Sequence, residues 1–100
     1  MYKSNHVFMK IPFQYKGKTF YYLDEGHGKV ILLIHGFLES MNMWYETAHR
    51  LKKDNRIIAI DLPGHGKSEL IEGEHEIDDI AKLLVHLLKE LRIGKVMLVG

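Results

Sequence analysis

Hydrophobic positions fall into runs of two kinds along the chain. Val30-Ile31-Leu32-Leu33-Ile34 and Ile57-Ile58-Ala59-Ile60 are unbroken. A strand with no polar side has no face to show water, so each run predicts a central strand of a parallel sheet covered on both faces. Val7 to Tyr15 alternates instead, with Val7, Met9, Ile11, Phe13 and Tyr15 on one side and Lys10, Gln14 and Lys16 on the other. Pro12 cannot donate to a ladder, so this strand is expected at an edge. Lys16-Gly17-Lys18 is a turn, and Thr19 to Leu23 returns antiparallel to close a hairpin over about 7–25. Asp24-Glu25-Gly26-His27-Gly28 is expected to be the loop into the central strand.

Helical spacing takes over twice. Ser40 caps a helix whose apolar positions are Trp44, Ala48 and Leu51. Ile77, Ile80, Leu84, Leu88 and Leu91 make a second stripe, widened by Ala81, Val85 and Leu87, with Asp78 and Asp79 in the first turn and Gly94 as its stop. Lys95 to Val99 is a third apolar strand. Strand, helix, strand, helix, strand over 30–99 predicts a parallel βαβαβ unit with helices on both faces, in a single α/β domain spanning 1–100. Right-handed crossovers to opposite faces then place Val30–Ile34 between the other two parallel strands. The reversal opens a crevice at the carboxyl ends of the first and third, where ligands of such sheets bind.

Composition narrows the function. Fourteen basic and thirteen acidic residues are interleaved and give a charge of +1, which does not call for nucleic acid. No apolar run is long enough to span a membrane or serve as a signal peptide. The chain has no cysteine, which excludes disulfides, cysteine zinc sites and a thiol nucleophile, and fits a cytoplasmic setting. The seven histidines show no i, i+4 pairing and no cluster with carboxylates, so no metal is expected; His86 reads as a boundary residue of its helix. Gly66-Lys67-Ser68 invites a phosphate-loop reading, but that motif needs glycine where Asp61 stands. Gly-His-Gly at 26–28 and at 64–66 lacks the third glycine of a dinucleotide fingerprint, and both read as turns. No cofactor is expected. Ser40 and Ser68 read as cap or turn residues rather than nucleophiles.

The apolar strand with His35-Gly36, then Ser40 and Trp44, then Asp61-Leu62-Pro63-Gly64-His65-Gly66-Lys67-Ser68, then Val96 to Gly100, resembles the N-terminal half of the α/β-hydrolase superfamily from about Thr19 onward. The resemblance implies acyl transfer by a serine on a G-x-S-x-G elbow, with a histidine base and an acid. Gly100 matches the first glycine of that elbow, and the serine, acid and base would follow it. The backbone N–H of Phe37 maps onto the oxyanion donor contributed by the loop after the central strand. His35 is then mainly structural, and Gly36, Leu38, Asp61, Gly64, His65, Gly66, Ser68 and Gly100 shape the site, with Asp61 fixing the loop that follows it. Leu38 stands where some dehalogenases and epoxide hydrolases carry proline, which favours the esterase, lipase or C–C hydrolase branches and a small ester or acyl substrate. Without the elbow serine, these 100 residues alone are expected to be inactive. The other reading is a truncated hydrolase fold that persists by self-association, as a homodimer across the Lys95–Val99 edge, or by pairing with a partner chain.

Overall fold

The computed structural model describes residues 8–35, 40–61 and 77–100. In them the chain runs β1 (Ile11–Tyr15), β2 (Lys18–Gly26), β3 (Lys29–Ile34), a 3-10 turn (Met41–Trp44), α1 (Tyr45–Leu51), β4 (Asn55–Ile60), α2 (Ile77–Glu90) and β5 (Met97–Val99). The five strands form one sheet in the order β1-β2-β4-β3-β5. The pairs β3–β4 and β3–β5 are parallel, and β1–β2 and β2–β4 antiparallel. β3 therefore lies between the other two parallel strands, as right-handed crossovers require.

Alternation along β4 divides the core. Ile58 and Ile60 join Leu32, Leu83 and Leu87 on one face, and Ile57 and Ala59 join Leu33, Met41, Tyr45 and Ala48 on the other. α2 thus covers one face and the segment from the 3-10 turn through α1 covers the other. Residues 57 to 60 are all fully buried, which accounts for the absence of a polar side in that run.

The hairpin turn is as short as the sequence indicates. Lys16 and Gly17 both take positive φ, 50° and 74°, as a two-residue turn matching the strand twist demands. β1 lies at the sheet edge, where Pro12 removes no ladder bond that another strand needs. It is shorter than the alternation indicates, because Phe8, Met9 and Lys10 leave the ladder. Phe8 packs edge-on against Tyr45, with ring centroids 5.7 Å apart, Met9 is exposed, and Lys10 reaches Asp61.

Three other expectations are corrected. Asp24-Glu25-Gly26 is strand rather than loop: β2 pairs with β4 as far as Gly26–Arg56, and Arg56 grips both oxygens of Asp24 at 2.9 and 2.7 Å. The helix after Ser40 opens as a 3-10 turn and buries Met41, Tyr45 and Ala48, while Trp44 and Leu51 pack at its margin. α2 packs Leu84, Leu87 and Leu88 of the expected stripe against the core, with Leu91 just past its end, adds Leu83 to it, and leaves Ala81 and Val85 exposed. Its stop is Arg92 rather than Gly94. Arg92 sits at φ 58°, its N–H donates to the Lys89 carbonyl (3.1 Å), and the Ile93 N–H donates to that of Leu88 (2.9 Å), a Schellman closure with arginine in the left-handed position.

Candidate functional site

Parallel register decides which chain ends meet. Ile31, Leu32 and Leu33 of β3 stand opposite Met97, Leu98 and Val99 of β5. Gly100, just past β5, lies beside Ile34: a β-carbon on Gly100 would be 3.8 Å from the Ile34 carbonyl oxygen. The carboxyl ends of these strands are thus flush, with the end of β3 beside Gly100, the residue that follows β5. His35, the first residue past β3, is 3% exposed.

Ser40 opens the next described stretch. The Ser40 hydroxyl accepts the Asn42 N–H at 3.3 Å, capping the 3-10 turn as its residue type and position indicate. The stronger anchor comes from across the sheet. Asp61 continues β4, is fully buried, and its own N–H donates to the Tyr21 carbonyl at 3.0 Å. Its Oδ1 accepts the Met41 N–H at 2.8 Å, and its Oδ2 accepts Lys10 Nζ at 2.8 Å. A carboxylate moved out of water needs such partners, since an unpaired buried charge costs several kcal/mol. The Lys10 side chain is itself only 11% exposed. Burial pushes the Tyr45 hydroxyl above its ordinary pKa, and the negative charge of Asp61 pushes it the same way.

The sequence points to Asp61 as the anchor of the loop that follows it. The bonds described for it go to Met41, Lys10 and the β2 backbone, and the loop that follows it lies outside the described residues. That Lys10 partners Asp61 was not legible, because strand alternation assigns it to the polar side of a hairpin. The available signal was Asp61 itself, a charge directly after a fully apolar strand, which needs a cation from somewhere. Gly36, Phe37, Leu38, Gly64, His65, Gly66 and Ser68 lie outside the described residues.

Among the described residues no three His, Asp or Glu side chains cluster as a metal site would need, and no helix is long and apolar enough to cross a membrane.

Comparison with known proteins agrees with this arrangement. The family model for the alpha/beta hydrolase fold matches residues 29–100. (E)-2-((N-methylformamido)methylene)succinate hydrolase of Acinetobacter baylyi is 29% identical over 83 residues, which is 83% of this chain and 32% of that protein. Epoxide hydrolase 4 of Mus musculus is 29% identical over 97% of this chain and 28% of its own length. Among solved structures, Est816, an N-acyl homoserine lactone degrading enzyme, superposes with a TM-score of 0.85 at 28% identity, covering 90% of this chain and 35% of that one. The chain spans about a third of the length of these relatives. With a flush β3–β5 rim, helices on both faces and a family match over most of its length, the chain belongs to the α/β-hydrolase superfamily.

Proposed function

We propose that these residues are the N-terminal part of a serine hydrolase that cleaves esters or similar carbonyl compounds, and that they supply one of its two oxyanion donors. The observation that carries this reading is the alignment of Ile34 with Gly100. It brings the carboxyl end of β3 beside the point after which family members carry the nucleophile, which supports the reading. In the reaction, a serine Oγ adds to the carbonyl carbon while a histidine takes its proton. The oxyanion is held by the Phe37 N–H and the N–H after the nucleophile; the C–O bond to the leaving alcohol then breaks, and the histidine returns the proton to that alcohol. Water releases the acyl group by the same steps. His35, Gly36, Leu38, the stretch from Asp61 to Ser68 and Gly100 shape the pocket, and no cofactor or metal takes part. The names of the relatives, a substituted succinate hydrolase and a lactone-degrading enzyme, support a small acyl substrate. The absence of cysteine supports a cytoplasmic setting.

These 100 residues contain no G-x-S-x-G, so they are inactive on their own in this reading. The test compares a p-nitrophenyl ester assay on this chain with one on a polypeptide that continues through the elbow serine. Turnover is expected only in the longer one. There, Phe37→Pro, which deletes the N–H, lowers kcat by about 10²- to 10³-fold, and Phe37→Leu, which keeps it, does not. Turnover by the short chain, or equal rates for the two Phe37 variants, would overturn the assignment.

A second reading rests on β5. Met97 and Leu98 are 64% and 62% exposed on a strand paired, among the described residues, on one side only. Self-association across that edge would cover them. Light scattering at micromolar concentration distinguishes the two: a dimer with β5 protected from hydrogen exchange favours it, and a monomer excludes it.

A further inference from the structure

The amino ends of the parallel strands enclose a cavity of about 510 Å³ that the candidate site does not use. Val30 and Ile31 of β3 line it together with Val96 and Met97 at the entry to β5, and so do Lys29 and Lys95. Register explains why two lysines meet there. Ile31 stands opposite Met97, and Lys29 and Lys95 each lie two residues before that pair, so both cations come to the same end of neighbouring strands. Lys29 opens β3 and Ile34 closes it, about 16 Å away at the rise of a strand. The cavity is therefore at the opposite end of the sheet from the rim where Gly100 lies beside Ile34.

Its charges are one-sided. Lys10, Arg50, Lys52 and Arg56 each lie against a carboxylate. Among the described residues neither Lys29 nor Lys95 forms an ion pair, and no carboxylate lines the cavity. Two like charges beside an apolar, low-dielectric wall repel each other and concentrate anions from solution. The apolar part of the lining holds no aromatic ring to stack on a planar ligand, only Val, Ile and Met. A ligand that answers both halves carries one anionic head and a flexible aliphatic tail.

We propose that this cavity binds an aliphatic carboxylate of medium chain length, with the carboxylate between Lys29 and Lys95 and the tail along Val30, Ile31, Val96 and Met97. The volume is suitable, since small-molecule pockets run from about 300 to 1,000 Å³. Binding here does not depend on the hydrolase reading, because no residue of the rim takes part.

The test uses the polypeptide that natively carries this chain, titrated by calorimetry at neutral pH with hexanoate, octanoate and decanoate, and with 1-octanol as the neutral probe. Each added pair of methylenes is expected to tighten binding roughly tenfold, the effect of burying that much apolar chain. K29Q/K95Q is expected to weaken octanoate at least about fivefold and to leave 1-octanol within about twofold, whereas K29R/K95R, which keeps both charges, holds octanoate within about twofold of wild type. Both positions are exposed, so neither double variant disturbs the core. Acetylation by acetic anhydride, read by mass spectrometry, places the ligand: Lys29 and Lys95 are expected to react in the free polypeptide and to be protected by octanoate. Absence of octanoate binding at millimolar concentration, an affinity indifferent to tail length, or undiminished binding by K29Q/K95Q would overturn the proposal. So would lysines already shielded in the free polypeptide, whether by its own chain or by a second copy seated on the β5 edge.

Discussion

The substitution that the geometry forbids most firmly is Gly26→Ala. Gly26 ends β2 at φ +80°, paired with Arg56. A β-carbon there would stand 2.2 Å from the Asn55 carbonyl oxygen and 2.6 Å from that of Lys52. Both atoms are main chain, one in β4 and one in the turn after α1, so neither yields by a change of rotamer. Gly17 is the natural control. It has nearly the same dihedral, φ +74°, with nothing within 4 Å of the added carbon. Both substitutions incur the cost of a left-handed non-glycine residue, about 1–2 kcal/mol. Gly26→Ala alone adds the cost of forcing an atom into packed backbone, a further ~1–3 kcal/mol. The expected losses are about 1–2 kcal/mol for Gly17→Ala and about 2–5 kcal/mol for Gly26→Ala, against a total stability of about 5–15 kcal/mol for a domain of this size. Urea unfolding followed by circular dichroism reads both, and at a slope of about 2 kcal/mol/M the second variant unfolds at a midpoint lower by about 1–2.5 M. Equal midpoint shifts for the two alanines would show that the approach of Gly26 to β4 is not close in solution, and the extension of β2 beyond Leu23 would then be wrong.

Arg92→Gly is expected to stabilise by about 0.5–1 kcal/mol, since it relieves a left-handed arginine at the end of α2 and loses part of that gain to unfolded-state entropy; a lowered thermal midpoint would contradict it. Burial raises the pKa of both Tyr45 and Tyr22, with Asp61 adding to the first and Asp24 and Glu90 to the second, so each proton is held more tightly in the folded chain. The stability this provides is complete below pH 10 and is lost as pH rises through the folded values. Tyr45→Phe therefore flattens the alkaline fall in urea midpoint between pH 9 and 11, and an unchanged slope would refute the attribution.

What the sequence made legible follows from how far each signal reaches. Unbroken apolar runs report burial on both faces, and β3 and β4 were identifiable from that alone. Pro12 marked the edge strand, and crossover handedness set the order of the parallel strands. The misreadings lie where two local patterns compete and contact with another element decides. On α2, Leu83 and Val85 lie on either flank of the same stripe; the wheel does not say which flank meets the sheet, and Leu83 is the one buried. Gly94 attracted the helix stop because glycine is the common left-handed residue, yet Arg92 takes that conformation two residues earlier, where Ile93 closes onto Leu88. Asp24 and Glu25 look like loop residues by composition. They belong to a strand because Arg56 waits across the ladder for Asp24.

The candidate site shows the same limit at longer range. That the carboxyl ends of β3 and β5 meet was readable from the order of the parallel strands. The way the end of β4 is held was not. Lys10 and Asp61 are 51 residues apart, and each has a sufficient local explanation, one as the polar side of a hairpin and the other as the opening of a turn-rich loop. Only the antiparallel pairing of β2 with β4 brings the end of β4 against the β1–β2 hairpin, and only then does the buried carboxylate meet its cation. The local sequence around Met41 explains its helical turn by the Ser40 cap, a bond of 3.3 Å; the shorter bond, 2.8 Å to Asp61, belongs to the tertiary fold. The amide of Met41 is thus held by a contact that no sequence window around it contains, and substitutions at position 10, in an edge hairpin, should loosen that contact through Asp61.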